Sequence, residues 1–512
     1  MKFFLNCLLF ISSNFVALGQ SPSIVWQNCI GGTNLDAATD IIATSDGGYI
    51  FTGSSRSNDG DLTNNHGATD VFLVKLDALG NVQWQRTYGG TLDDGGVAIK
   101  QTVDGGYVLA CASISMDIDV IGNHGNWDYW ILKLDTNGNI QWKKCFGGSS
   151  VDVPEDIIQC NDGSYIIVGN TTSNDGDVTG LNSATNDAWV IKIDAIGTLL
   201  WQKCIGTISS NRAFSIIQTI DNGYAFVGET EIGSQLNGWL VKLNALGGVQ
   251  WQKSFGGTNN DGFKSILQTI DGGYVLAGGT FSNDNDVSGN HGQIDSWIVK
   301  VDSLGNLNWQ KCFGGSLKEA ALDIVISSGG GYIFASYTES LDFDVTNNHG
   351  IRDWWIVKVD ATGAILWEKC LGTTSIEEPT SIIQIGNNDY VICGSVNAND
   401  GDASGFNGGN GDAWVVKLSN TIDIHENNIN FKALIYPNPT QNTINIQFSE
   451  MLKNNGVIQI YDLGGRFVRS IQIEKNIKEI AVNSSSMLNG VYTFQVIIDD
   501  LVWFNGRFII AD

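Results

Sequence analysis

The sequence predicts an all-β protein: a seven-bladed β-propeller closed by its own N-terminal strand, followed by a small C-terminal β-sandwich. Three observations predict it. A tryptophan recurs at 26, 84, 142, 201, 251, 309 and 367, with spacings of 58, 58, 59, 50, 58 and 58 residues. Each repeat holds four short runs rich in β-branched and aromatic residues, such as VQWQRTYGG, GVAIKQT, YVLACAS and YWILKLD, bounded by Gly, Asn and Asp. The array opens with a Trp run (Ile24 to Gly32) and closes with a fourth run (Asp412 to Ser419), so it is one strand out of phase.

A fixed period of this size marks a repeat architecture, and four antiparallel strands per repeat predict blades around a ring. The phase offset predicts that the first strand completes the last sheet and leaves no open edge. A right-handed β-solenoid is the alternative, but its rungs are normally shorter and lack hairpin turns. Turns of the DGG type join the second and third runs, as at Asp46 to Gly48 and Asp271 to Gly273. D-x-x-G-N turns join the fourth run to the next Trp run, as at Asp135 to Asn139. Gly and Asn accept the positive φ that such hairpins need. The other two connections are longer. Strands alternate in direction, so both short turns lie on one face and both long connections on the other. Binding loops belong on that elaborated face.

Composition narrows the function classes. The chain has 512 residues, with 62 Gly, 5 Pro and 16 Trp, and only 16% are charged. That is a turn-rich β chain with aromatic mass for a core. The net charge is −26, and residues from Ala433 onward carry 6 basic and 7 acidic side chains, so the negative charge belongs to the repeats. Such a surface repels phosphates, which argues against nucleic acid and anionic membranes. It suits cations or neutral glycans, and it also serves solubility. Residues 1–19, MKFFLNCLLFISSNFVALG, read as a secretory signal with a small-residue cleavage site before Gln20. No later stretch reaches about 18 consecutive apolar residues, the length a membrane helix needs. The mature chain is therefore expected to pass through the periplasm and to be secreted or held at the outer-membrane surface.

Several recurrent residues read as framework. Cys29, Cys145, Cys204, Cys312 and Cys370 follow the repeat Trp by three residues, and Cys111 and Cys393 share a second position. Equivalent positions in different repeats usually lie too far apart for a disulfide, so these read as small buried apolar residues, with a bridge within one repeat as the alternative. Lys75, Lys133, Lys192, Lys242, Lys300, Lys358 and Lys417 recur in every repeat, six of them with an acidic or amide residue two positions later on the same strand face. Repetition in every blade points to a structural ion pair or stem packing. The turn T-x-D-x-G at 44–48, 102–106, 219–223 and 269–273 resembles the Asp-box of sialidase-type propellers, which is itself a structural turn. No matching set of arginines and acids accompanies it.

The long loops carry the candidate chemistry. Paired carboxylates recur in six repeats: Asp59 and Asp61, Asp117 and Asp119, Asp175 and Asp177, Asp284 and Asp286, Asp342 and Asp344, Asp400 and Asp402. The fourth repeat has only EIGSQLNG (Glu231 to Gly238). Paired carboxylates with nearby Asn and backbone carbonyls can hold Ca²⁺, or can be self-satisfied Asx turns. His66, His124, His291 and His349 share one position within NHG. Ring symmetry spreads them apart, so a turn role fits them better than a zinc cluster. Acids abound, but nothing singles out a glycosidase pair.

After the repeats, 421–432 reads as a linker. Residues 433–512 then hold Tyr436-Pro437-Asn438-Pro439, a turn from Tyr461-Asp462 to Gly465-Arg466, and Leu488 with Gly490 and Tyr492. These three motifs in order resemble the C-terminal sorting domain of type IX secretion substrates of Bacteroidota. The resemblance implies a small β-sandwich that the secretion machinery recognises and removes on release or surface linkage. The family often ends in a basic residue, whereas this chain ends in Asp512. Alternating strands such as TINIQF and GVIQIYDL read independently as a sandwich. The function expected is therefore non-enzymatic binding of a glycan or protein, or a scaffold role, on an exported propeller. A propeller hydrolase acting on polysaccharide is the alternative.

Overall fold

The computed structural model describes residues 21–182, 185–386, 388–419, 433–449, 451–452, 454–462, 467–485, 487–498 and 501–511. The secretory-signal segment 1–19 and the linker 421–432 lie outside the described residues. The chain divides into two compact bodies, with the boundary after Thr421. Every regular element among the described residues is a strand.

The repeat body consists of seven four-stranded antiparallel sheets among its described residues. Sheet 1 holds Asp36–Ala43, Tyr49–Ser55, Asp70–Leu76 and Val82–Tyr88, and sheets 2 to 6 begin at Asp94, Asp152, Asn211, Asp261 and Glu319. Sheet 7 holds Glu378–Ile385, Asp389–Val396 and Asp412–Ser419, and its fourth strand is the N-terminal Ser23–Ile30. Ser23 pairs with Ser419 and Ile30 with Ala413 along that seam. Side chains lock it: Trp414 donates to Gln27 at 2.8 Å, and Gln27 donates to the Asp402 carbonyl at 2.6 Å. The first strand of each sheet packs against the first strand of the next, and the seventh returns to the first. The array therefore closes on itself, as a propeller-like ring.

The repeat tryptophan joins neighbouring sheets. Trp84 on the fourth strand of sheet 1 meets Tyr107 of sheet 2, with ring centroids 6.4 Å apart. The same contact recurs from Trp26–Tyr49 round to Trp367–Tyr390. Aromatic pairs in this range add about 1 kcal/mol each beyond the area they bury. A second tryptophan series on the third strands, including Trp130, Trp189, Trp297 and Trp414, is fully buried. All eight described cysteines are free, six of them buried and two partly buried.

The recurrent lysines are structural, but their partner is not the residue two positions later. Lys75 reaches back to Asp46 of the DGG turn at 2.9 Å, and Lys133, Lys192, Lys242 and Lys300 repeat this with Asp104, Asp162, Asp221 and Asp271. The acid two positions on is occupied otherwise: Asp77 accepts the backbone N–H groups of Leu79 and Asn81 within its own turn. In sheet 6 glycine replaces the turn acid, and Lys358 donates instead to the Tyr390 hydroxyl.

The C-terminal body has a three-stranded sheet (Ala433–Tyr436, Thr443–Phe448, Glu479–Asn483) and a four-stranded sheet (Gly456–Asp462, Phe467–Ile473, Gly490–Ile498, Leu501–Ile510). Alternate residues of both sheets, such as Ile444, Ile446, Ile458, Ile460, Phe494 and Val496, meet in one apolar core.

Deleting Ser21 to Gly32 is expected to destabilise the whole repeat body, because sheet 7 loses a strand and exposes an edge. A calorimetric melt of the deletion variant checks this. A cooperative transition at the wild-type midpoint would rule the seam out as a structural requirement.

Candidate functional site

Each sheet repeats the same polar framework on the face of the long connections. A buried acceptor starts or immediately precedes the first strand: Asp36, Asp94, Asp152, Asn211, Asp261, Glu319 and Glu377. Asp94 accepts from Ser113, from Ser115 at 2.8 Å and from the backbone of Gly90 at 2.7 Å. It thereby ties the crossover from sheet 1 to the second strand of sheet 2. In every sheet but the fourth, whose third strand starts at Gln235, a second acid starts the third strand. His66, His124, His291 and His349 each present ring Nδ1 and backbone N–H to that acid four residues on. Its other oxygen lies against the crossover glycine; a Cβ on Gly89 would sit 2.6 Å from Asp70 Oδ1.

The paired loop acids serve the same crossovers. Asp59 accepts from the backbone and hydroxyl of Thr33 at 2.9 and 2.8 Å. Asp117, Asp284 and Asp400 do the same with Thr91, Thr258 and Thr374. Asp175 and Asp342 accept from the backbone of Ser149 and Ser316. The second members, Asp61, Asp119, Asp177, Asp286, Asp344 and Asp402, donate their backbone N–H to the first crossover glycine. The carboxylates of Asp177, Asp286, Asp344 and Asp402 also accept from the backbone of that glycine, so the two acids of a pair engage different residues of the turn. Among the described residues no group of three or more His, Cys, Asp or Glu is arranged to hold a metal ion.

What differs from sheet to sheet gathers at the centre. The seven first strands enclose a cavity of about 300 Å³. Four residues after the framework acceptor stand Asp40, Ala98, Asp156, Ser215, Ser265, Asp323 and Ser381. One residue earlier stand Thr39, Val97, Glu155, Phe214, Lys264, Leu322 and Thr380. Lys100 projects among the acids, 3.1 Å from Asp40 and 3.7 Å from Asp156. Burial opposes its charge, but those two carboxylates raise its pKa above the ordinary lysine value. Asp323 accepts from Ser265 at 2.8 Å, from Ser381 at 3.3 Å and from the backbone of Ile382 at 2.9 Å, yet burial pushes it up to about 6. Glu155, held by Asn170 at 3.1 Å, is pushed by burial up to about 7. A carboxyl that keeps its proton near neutrality can donate one.

The mouth of this lumen is also uneven. Arg212 and Glu229 pair at 3.3 Å on sheet 4. On sheet 6 Arg352 lies over the Tyr337 ring at 4.2 Å and joins Glu339 and Glu378. Phe281 of sheet 5 is 45% exposed there. None of these lumen or mouth residues was a candidate from the sequence. The signal was available in the aligned repeats: they are the positions where residue type varies inside an otherwise constant frame.

In the C-terminal body, Asn438 accepts from the backbone of Ile509 at 2.8 Å, Tyr436 donates to Glu479 at 2.8 Å, and Tyr492 donates to the Leu488 carbonyl at 2.8 Å. Pro437 and Pro439 line a cavity beside Thr440 and Ala511. Gly490 opens its strand; Gly465 and Arg466 lie outside the described residues. Residues 434–510 match the family model of the secretion system C-terminal sorting domain. This type IX sorting tail indicates export, to the cell surface or beyond it, and handling by the type IX machinery. No curated protein matches the chain. Among solved structures, Sqt1 from Chaetomium thermophilum is 11% identical, with 78% of this chain and 100% of that one covered and a TM-score of 0.41. YCF48 bound to D1 peptide is 10% identical, with 80% and 99% covered and a TM-score of 0.43. Puromycin hydrolase is 10% identical, with 84% and 62% covered and a TM-score of 0.45. Likeness at this level carries no argument about activity.

The buried acids make stability depend on pH. Burial pushes Asp128, Asp323 and Asp412 from 3.8 up to about 6. Between those values the folded chain keeps protons that the unfolded chain has released, so stability falls as pH rises through that window. The turn acids act at lower pH. Burial works against Asp46, Asp104 and Asp221, but hydrogen bonds from the turn threonine and the lysine hold them at about 2. Their contribution is full above 3.8 and is lost only as pH falls toward 2. The melting temperature is therefore expected to be higher at pH 5 than at pH 7.5. A higher midpoint at pH 7.5 would contradict this assignment of the buried acids.

Proposed function

We propose that the repeat body is a seven-bladed β-propeller closed by its N-terminal strand, and that the C-terminal body is a small β-sandwich. On this reading the mature chain travels through the periplasm of a bacterium of the Bacteroidota type and is displayed or released by type IX secretion. There it binds a glycan or a protein, without catalysis, at the mouth of the lumen on the elaborated face. One observation carries the binding role: the repeat is constant where residues hold the ring together and varies where side chains face the lumen and its mouth. The loop acids are assigned to clamping crossovers rather than to Ca²⁺.

Glu155 favours one second reading, a polysaccharide hydrolase. A glycosidase needs a carboxylic acid with a raised pKa beside a second carboxylate, and Asp156 is its chain neighbour. A glycan-array screen of the mature chain tests both, followed by product analysis on any glycan bound. Binding without cleavage is expected. The double variant Phe281→Ala, Tyr337→Ala is expected to lose at least tenfold in affinity with its melting midpoint unchanged. Cleavage that disappears in Glu155→Gln would establish the hydrolase instead. Unaltered binding by the double variant would move the site away from the mouth.

A further inference from the structure

Sheet 4 departs from the other six in the connection between its second and third strands. Its second and third strands, Tyr224–Ile232 and Gln235–Leu243, pair to their tips, with Ile232 opposite Gln235. A tight turn stands where the other sheets carry a long loop. Beside it, between sheets 4, 5 and 6, opens a cavity of about 350 Å³. Its walls are Leu236, Phe281, Ile294, Leu322 and Tyr337. Two glycines keep it open: a Cβ on Gly279 would sit 2.8 Å from Ile294 Cδ1, and one on Gly262 3.1 Å from Glu229 Oε2. Volumes of this size suit small organic ligands.

Lys264 lines both this cavity and the lumen. Its ammonium lies 3.3 Å over the Phe214 ring and makes no ion pair or hydrogen bond with any described residue. That sets it apart from Lys75, Lys133, Lys192, Lys242 and Lys300, each held by a turn acid, and from Lys100, held by Asp40. The carboxylates that influence it have other partners: Glu229 pairs with Arg212, and Glu155 accepts from Asn170. Lys264 keeps contact with solvent, and partial desolvation of its ammonium against the Phe214 ring lowers its pKa. A lysine at the edge of an apolar cavity with no ion pair of its own leaves a charged hydrogen-bond donor for an incoming anion.

We propose that this cavity binds a small organic acid, an apolar acyl or aryl body ending in a carboxylate, with the carboxylate on Lys264 and the body against Leu236, Phe281 and Ile294. A monoanion fits better than a phosphate, because Glu229 and Glu155 stand close and the repeats are acidic overall. An apolar body fits better than a bare anion, because the walls are mainly hydrocarbon. The proposal goes beyond the glycan or protein reading and does not depend on it.

Titration calorimetry of the mature chain tests it with 3-phenylpropanoate, hexanoate, acetate and the neutral 3-phenylpropanamide. Both longer acids are expected to bind, and 3-phenylpropanoate at least tenfold more tightly than its amide. Lys264→Met should abolish that preference while leaving the melting midpoint unchanged, and Lys264→Arg should retain it. Equal affinity for acid and amide, or an undiminished preference in Lys264→Met, would overturn the role of the lysine. Acetate binding as tightly as hexanoate would overturn the role of the walls. Failure of both longer acids to bind would overturn the proposal even if a glycan binds at Phe281 and Tyr337. Acid binding with no glycan or protein ligand would leave it standing and remove the broader reading.

Discussion

Each crossover between sheets is held by one buried acceptor, and the rest of the ring depends on it. Asp152 shows the arrangement. One oxygen takes the Thr171 hydroxyl, and the other takes Ser173 at 2.8 Å and the Gly148 backbone at 2.7 Å. A single carboxylate thus fixes where the chain leaves one sheet, where it enters the next, and where that sheet's second strand ends. Buried acceptors of this kind are costly to leave unmet, so the geometry they impose is stiff. The central first strands begin at or next to these acceptors, so the same contacts position the start of each. Sheet 4 keeps the principle with an amide: Asn211 accepts from Thr230 at 2.8 Å.

The architecture was legible because it follows from period and phase. A tryptophan every 58 or so residues and a chain that starts one strand early are enough to predict the seam that Ser23–Ile30 makes with Asp412–Ser419. The long-range polar contacts were not legible. Asp59 and Asp61 read either as Ca²⁺ ligands or as self-satisfied Asx turns because they are close in sequence, but their partners Thr33 and Gly31 are about 26 and 30 residues away. The lysine was legible as structural, whereas its partner was not. The strand's own next acid was the local guess, and folding brought the preceding hairpin turn to it instead.

The candidate site was hidden for a different reason. Attention to what repeats finds the frame, and a site in a repeat protein is where repetition stops. Lys100, Glu155, Lys264 and Asp323 each occupy a position that holds something else in most other sheets. In the C-terminal body the order was reversed. Tyr436 to Pro439, Gly490 and Tyr492 were readable as a motif before any contact was known; Asn438 ties the first strand region to the last, and Tyr492 closes the turn at Leu488.

The central claim is that repeated positions carry stability and symmetry-breaking positions carry function. Two variants within one strand test it: Asp152→Ala removes a frame acceptor, and Glu155→Ala removes a lumen acid three residues on. The account predicts that Asp152→Ala lowers the melting temperature by at least a few degrees, since it strands buried donors worth about 3 kcal/mol in all. Glu155→Ala should leave the midpoint unchanged or raise it, because a half-buried acid whose charge is disfavoured, held by Asn170 alone among the described residues, is lost. Melting both variants side by side at pH 7 decides it. A larger loss in Glu155→Ala than in Asp152→Ala would contradict the division of labour.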